Sequence, residues 1–132
     1  MSDYGRLMAR SADAAADMRT NQWHILRAAA AGTTNVASNP GGAASDVIGT
    51  LFNKPNSGQA ASIITQGESK VVAGGSVTVN TLLTTNGSGR ATAATSGDFV
   101  LGMALEAASA DGEVIRVLMS MPAAQLPSSL NA

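Results

Sequence analysis

The sequence contains no cysteine and a single histidine, His24, among its 132 residues. Without thiols the chain has neither disulfides nor thiolate metal ligands. A single imidazole also excludes a metal site built from several histidines of one chain. We therefore expect neither a metal ion nor any other cofactor.

Neither sign of charge is in clear excess, because eight Lys and Arg residues stand against nine Asp and Glu residues. Proteins that bind nucleic acids usually carry a basic surplus, so we expect no nucleic-acid partner. No apolar run approaches the ~20 residues of a membrane-spanning helix. The first residues also lack the apolar centre of a secretory signal. We expect a protein that is made in a cytoplasm and does not bind a membrane.

Large side chains are scarce. The aromatic residues are Tyr4, Trp23, Phe52 and Phe99, whereas the chain has 25 Ala, 14 Gly, 14 Ser and 11 Thr. Burial stabilises a fold in proportion to the apolar area buried, at ~25 cal/mol per Å², so this composition predicts a thin core. We expect contacts between subunits to supply part of the stability, with a marginal monomer as the alternative.

Short apolar runs separated by glycine-rich turns fill the sequence from residue 21 onward. Strands at intervals of about 8–12 residues are typical of barrels and sandwiches. The sequence therefore predicts a mainly β, small single-domain β-barrel or β-tulip over residues 21–121. Gly67 is expected to interrupt one run, and Asn86-Gly87 predicts a hairpin turn. The predicted strands are 22–27 (with a helix on to Ala31 as the alternative), 47–52, 61–65, 70–72, 77–79, 82–85, 90–95, 99–105 and 113–119.

Two of these runs resemble each other. DVIGTL at residues 46–51 and FVLGMAL at residues 99–105 each place a glycine in the middle of an apolar strand. A glycine at such a position indicates a bulge or a tight bend, as the corners of a barrel require. The two runs therefore indicate a pseudo-repeat within one barrel, and chance similarity between β-strands is the alternative.

The two ends are expected to lie outside the barrel. Residues 1–20 are interpreted as an extended N-terminal arm of mixed charge, with helical propensity over 12–16. Its apolar and basic side chains form a candidate docking motif for a partner surface. Residues 122–132 are interpreted as a C-terminal tail, because Pro122 and Pro127 are expected to end the ordered part. The docking candidates in the arm are Tyr4, Arg6, Leu7, Met8 and Arg10.

No motif in the sequence points to catalysis. His24 lacks the neighbouring serine elbow of a hydrolase triad, and the glycine-rich turns lack the lysine of a phosphate loop. Asp111 and Glu113 are interpreted as turn residues rather than as a calcium site. We therefore expect the protein not to be an enzyme. Trp23 is the candidate for either core packing, which is favoured, or an interface contact.

Several low-complexity segments follow one another at characteristic spacing between residues 17 and 120. They read NQWH at 21–24, VIGTLFNKP at 47–55, GQAA at 58–61, GESKVVAG at 67–74, TTNGSGRA at 84–91 and GDFVLGMALEA at 97–107. Taken together they resemble the bacteriophage capsid cement (head decoration) protein family. The family often has glycine where this chain has Asn80, and residues 1–16 lie outside the resemblance.

The resemblance implies a small β protein on the outer capsid surface of a virion. It implies binding to the major capsid protein between capsomers, as a homotrimer, and stabilisation of the shell against internal DNA pressure. The family has no catalytic residues to transfer. Many identical weak contacts on a lattice add up to strong attachment, which fits such a role.

Two other classes of non-catalytic protein remain open from the sequence. A tail or head-fibre subunit has the same short strands but assembles into tubes or fibres. A binding module for surface glycans is less consistent with four aromatic residues. Under the capsid interpretation, the docking candidates of the arm become candidate capsid contacts.

Overall fold

The computed structural model describes residues 8–125, and it describes side chains from residue 10 to residue 120. Nine strands and two short 3-10 turns, Ala30–Gly32 and Gly41–Ala43, make up the regular structure of this range. The predicted mainly β fold is confirmed. The strands are β1 (Met8–Asp13), β2 (Ile25–Ala28), β3 (Thr34–Val36), β4 (Val47–Leu51), β5 (Ala60–Val72), β6 (Leu82–Thr85), β7 (Ala91–Ala93), β8 (Phe99–Ala104) and β9 (Val114–Gln125).

One long strand, β5, organises the sheet. The strand order is β3-β2-β4-β5-β9-β8-β6-β7, and every ladder is antiparallel. Along one edge of β5, its first half pairs with β1 and its second half pairs with β9. The two ladders meet at Gln66, which is opposite Met8 of β1 and Ser120 of β9. This strand is therefore common to both halves of the sheet.

Two isolated parallel bridges curl the sheet towards a barrel. Ala14, just after β1, pairs with Thr34 of β3, and the amide of Ala15 donates to the Thr34 carbonyl at 2.8 Å. Ala73, just after β5, pairs with Ala91 of β7. These bridges pair backbone that otherwise lies at the exposed edges of the sheet.

The apolar interior consists of two clusters. The large core lies mainly between β5, β9, β8 and β6 and the loops that cover them. The small core lies under β1, β2, β4 and the first half of β5. The large core contains Ile25, Ala37, Ala44, Val47, Val71, Ala73, Val77, Leu83, Ala91, Leu101, Ala104, Ala108, Ile115, Val117 and Met119. The small core contains Ala14, Met18, Leu26, Leu51, Ala61 and Ile63.

The predicted division between an arm over 1–20 and a barrel over 21–121 does not follow the strands. From Met8 to Asp13 the chain is paired with β5, and the helix favoured over 12–16 is absent from the described residues. Met18 is only 1% exposed and belongs to the small core. Backbone pairing and burial of Met18 outweigh the weak helical propensity of the alanines.

Several predicted strand boundaries are corrected. Gly67 does not interrupt a strand, since β5 continues through it with a φ of 97°. Residues 77–79 form only a single bridge, from Val77 to Ala108. At the C-terminal side, β9 continues past Pro122 to Gln125, because β8 still pairs with its last residues.

The two glycines of the predicted pseudo-repeat both lie against a neighbouring strand. Gly49 of β4 and Gly102 of β8 both lie beside a register shift in a ladder. A Cβ atom at Gly49 would meet the carbonyl oxygen of Ile64, and one at Gly102 would meet that of Leu118. Each glycine therefore permits a close approach of two backbones. The residue Asn80, where the cement family often has glycine, has a φ of 72°, which asparagine tolerates better than most side chains.

Candidate interaction surface

Trp23 lies in an unusual backbone conformation at the surface. Its φ is 69°, which a bulky side chain rarely adopts. Its amide donates to the Leu51 carbonyl at 2.8 Å, and its carbonyl accepts from the Val72 amide at 3.0 Å. These two hydrogen bonds attach the residue to β4 and to the end of β5. The ring is neither part of a core cluster nor fully exposed, so Trp23 lies between the two roles predicted for it.

An aromatic pair forms the floor of a shallow depression on the outer face of β5. The ring centres of Trp23 and Phe52 are 5.5 Å apart, and the ring planes are nearly perpendicular. Phe52 is 48% exposed. The ammonium group of Lys70 lies 5.7 Å from the centre of the Trp23 ring, within the range of a cation–π contact. We call this surface the aromatic depression. It encloses about 160 Å³ and is lined by Trp23, Phe52, Ile64, Glu68, Ser69, Lys70 and Arg116.

Charges of both signs surround the aromatic depression. Lys70 of β5 lies opposite Arg116 of β9, an arrangement of like charges that destabilises a sheet. Carboxylates offset this repulsion, because the Arg116 guanidinium lies 3.4 Å from Glu68 and 3.7 Å from Glu106. All of these ion pairs are about half exposed, so each contributes little to stability but leaves charge available to a partner.

Two of the predicted docking residues, Met8 and Arg10, lie on β1, which pairs with the strand that carries Ile64. Ala9 pairs with Ile64, whose side chain lines the aromatic depression, and Met8 pairs with Gln66. Arg10 is exposed and pairs through its backbone with Ile63. The remaining candidates, Tyr4, Arg6 and Leu7, lie outside the described residues.

A second, polar cavity lies between the segment 21–24, which contains Trp23, and the hairpin of β6 and β7. Its volume is about 410 Å³, and it is lined by Asn21, His24, Asn86, Ser88, Arg90 and Asp111. Arg90 and Asp111 form an ion pair at 2.8 Å. His24 is 7% exposed, and its Nδ1 atom has no hydrogen-bond partner among the described residues. Burial lowers the pKa of His24 below its usual value, and the nearby Arg90 guanidinium lowers it further.

The remaining titratable groups form no reactive cluster in the part of the chain that is described. Arg19 donates to the carboxylate of exposed Asp17 and lowers the pKa of Asp17 to about 2. Hydrogen bonds from Ser109 lower the pKa of Glu113. Between residues 8 and 125 there is no group of three or more metal-ligating side chains and no helix long and apolar enough to cross a membrane.

Sequence reasoning found Trp23 but not the residues around it. Phe52, Lys70 and Arg116 come from three different strands or strand ends, and long-range pairing brings them together. The scarcity of aromatic residues was the one available signal, since two of the four lie at this single site.

Comparison with known proteins finds a likeness in fold. No family model and no curated protein matches the chain. The fold is similar to the crystal structure of the head fibre gp8.5 N base of bacteriophage phi29, with a TM-score of 0.62 and 18% sequence identity. The matched region covers 87% of this chain and 95% of that one. The likeness therefore concerns the whole fold rather than one motif.

Proposed function

We propose that this chain is a structural protein of a phage head, which binds the outer capsid surface between capsomers and stabilises the shell. The observation that carries the phage-head role is the likeness in fold to a head-fibre base, which covers 95% of that chain. The proposed partner is the major capsid protein, the proposed assembly is a homotrimer, and the location is the virion. No catalytic activity is assigned to the chain.

The segments that resemble the capsid cement family give independent support. They form β4, the start and end of β5, the turn between β6 and β7, and β8. They are therefore connected parts of one sheet and not separate fragments of low complexity. A near-neutral chain also fits a protein that lies close to packaged nucleic acid without binding it.

The Trp23–Phe52 end of the aromatic depression and the beginning of β1 are the proposed capsid-facing side. Trp residues are enriched among the side chains that dominate protein interfaces. Trp23 and the half-exposed Phe52 form this end of the depression, and the chain enters β1 beside Ile64 at its edge. We propose that Tyr4, Arg6 and Leu7, which precede β1 in the sequence, add to this contact.

The first experiment is co-sedimentation of the purified protein with mature heads that lack it. Saturable binding at a fixed ratio to the major capsid protein, with little binding to unexpanded shells, supports the proposal. The absence of binding to any form of head would overturn it. Deletion of residues 1–7, which leaves β1 intact, is expected to weaken binding while the far-ultraviolet circular dichroism stays unchanged.

A matched pair of substitutions tests the aromatic depression. Phe52→Ser removes an exposed ring from the depression, whereas Val114→Ser alters an equally exposed residue outside it. We expect Phe52→Ser to reduce the affinity for heads by at least about tenfold, which corresponds to ~1.4 kcal/mol. Val114→Ser is expected to bind as the wild type does. Equal binding by both variants would place the capsid contact elsewhere.

The base of a head fibre is a second candidate, because the structure with the similar fold is itself a head-fibre base. A cement protein and a fibre base differ in occupancy and in mechanical effect. Cement occupies every equivalent site and raises the temperature at which heads release DNA. A fibre base binds heads with no effect on that temperature and carries a distal fibre in electron micrographs.

A further inference from the structure

An aliphatic row crosses the outer face of three neighbouring strands. The register places Leu82 of β6 opposite Met103 of β8, and Met103 opposite Leu118 of β9. Leu82 is 44% exposed and Leu118 is 46% exposed. Because directly opposite side chains lie on the same face of a sheet, about 5 Å apart, these residues form one continuous apolar strip. We call it the aliphatic row.

The aliphatic row extends towards the loop before β6. The amide of Asn80 donates to the Ala104 carbonyl at 2.9 Å, which holds the loop against β8. Val79, next to this hydrogen bond, is half exposed. Val79 and the row thus add half-exposed aliphatic side chains on this side of the sheet, and contiguous apolar patches are where soluble proteins bind partners.

Charges of opposite sign border the row. Leu118 lies opposite Glu68, and Arg116 with its partners Glu68 and Glu106 lies on the same face, two residues away on β9. With Lys70, this border has two cations and two carboxylates. It has no net charge that would select a strongly acidic or a strongly basic partner.

We infer that the aliphatic row is the surface through which copies of this chain associate with one another. A standard interface buries ~800 Å² on each partner, which is more than three aliphatic side chains provide. The charged border must therefore lie within the contact, where each charge needs a partner of opposite sign. An identical copy supplies cations and carboxylates in equal number, so it meets this condition.

The composition provides a second reason for self-association. The chain has few large side chains, and the small core contains six buried residues between residues 10 and 120. Burial of the row between copies adds apolar area that the isolated fold lacks. The inference deepens the proposed function and rests on it for the number of copies, because it names the surface on which the proposed homotrimer forms.

The test measures molar mass by light scattering and by sedimentation, over a wide range of concentration. The wild type is expected to have the mass of three chains. Leu118→Lys introduces a charge that Glu68 can pair with inside one chain, so the fold is retained while the apolar contact is lost. This variant is expected to have the mass of one chain. The conservative variant Leu118→Met is expected to restore the mass of three.

Val114→Lys is the matched control. Val114 is on the same strand and the same face, and it is 47% exposed, but it lies opposite Val72 and outside the row. It is expected to keep the wild-type mass. A monomeric wild type, or a Leu118→Lys variant with wild-type mass and unchanged circular dichroism, would overturn the inference.

Binding to heads is measured separately, so the two proposals fail in different ways. A monomeric wild type that still saturates heads would refute the aliphatic row as a self-association surface and leave the head-binding role standing. A trimer that depends on Leu118 but binds no form of head would support the aliphatic row as the self-association surface and refute the head-binding role.

Discussion

The two halves of the sheet share β5 and differ in how much apolar material they bury. In the half with the large core, local pairs such as the β6–β7 hairpin are joined to β5 through β9, whose partners on β5 are 42 to 54 residues away in sequence. In the half with the small core, the local pair of β4 and β5 is joined to β1, whose partners on β5 are about fifty residues later. Both halves therefore combine local turns with one distant ladder on β5, and the size of the core is what separates them.

The small core depends on few large side chains. Among the residues whose side chains are described, it contains six buried residues, two of which are alanines, so the remaining four carry most of its stability. The small-core half nevertheless bears the aromatic depression, whose two rings are attached beside β4. The half with the weaker core is thus the half proposed to face the capsid.

The largest expected effect comes from Met18. Met18→Ala removes a side chain that is 1% exposed in the small core, and such truncations cost about 2–5 kcal/mol. The free energy of unfolding, measured by urea titration, is expected to fall by this amount. A cost near zero would show that residues 8–18 behave as a detachable arm.

Two controls sharpen this result. Leu83→Ala makes an equivalent truncation in the large core, and it is expected to cost a similar amount in a single cooperative transition. Val79→Ala, at a half-exposed position, is expected to change stability by less than about 0.5 kcal/mol. Separate transitions for Met18→Ala and Leu83→Ala would mean that the halves unfold independently.

Substitution of Gly49 in β4 and of Gly102 in β8 compares the two halves directly. Gly49→Ala and Gly102→Ala each force a methyl group against a carbonyl oxygen of the neighbouring strand, and overpacking of this kind costs about 1–3 kcal/mol. Gly49 also has a φ of 154°, so its substitution is expected to cost more than that of Gly102. Thermal unfolding measures both against Gly75→Ala, where the new methyl group meets nothing within 4 Å. An equal loss of stability in all three variants would contradict this account.

The smallest expected effect is the pH response of His24, which lies where the halves meet. Its carbonyl accepts from Leu51 of β4 at 3.0 Å, and its ring lies in the cavity with Arg90. Its folded-state pKa is lower than the unfolded value of 6.5, so the unfolded chain binds the proton more tightly. The neutral His24 ring therefore makes its full contribution to the free energy of unfolding above pH 6.5. This contribution is lost as the pH falls through the folded-state pKa of His24.

Urea unfolding at a series of pH values between 8 and 5 tests this response. His24→Gln removes the titrating group while keeping a polar side chain, and it is expected to flatten the pH dependence in this range. The same slope in both proteins would assign the response to another group.

Sequence patterns predicted best the strands that turns bound at both ends, and such strands occur in both halves. The predictions for β4, β6 and β8 agree with the structure to within two residues, because each strand is bounded by glycine or asparagine turns. The prediction for residues 1–20 missed β1, since Met8–Asp13 is short, polar and alanine-rich. Only the distant partner β5 determines that this segment is a strand.

The candidate site was predictable only through its rarest residue type. Trp23 stood out because tryptophan is unique in the chain, but its positive φ could not be read from the alternation of residues 22–27. Nothing in the sequence pattern distinguishes Lys70 and Arg116 from the other charged residues. Their significance arises from the register that places them opposite each other.

The shared strand also fixes an order of events during synthesis. The second half of β5 is complete at Val72, but the strand that covers its edge begins at Val114. At a translation rate of ~5–20 residues per second, the nascent chain carries this uncovered edge for roughly 2–8 s. An open β-strand edge is a template for aggregation, so the emerging polypeptide is most vulnerable between β5 and β9.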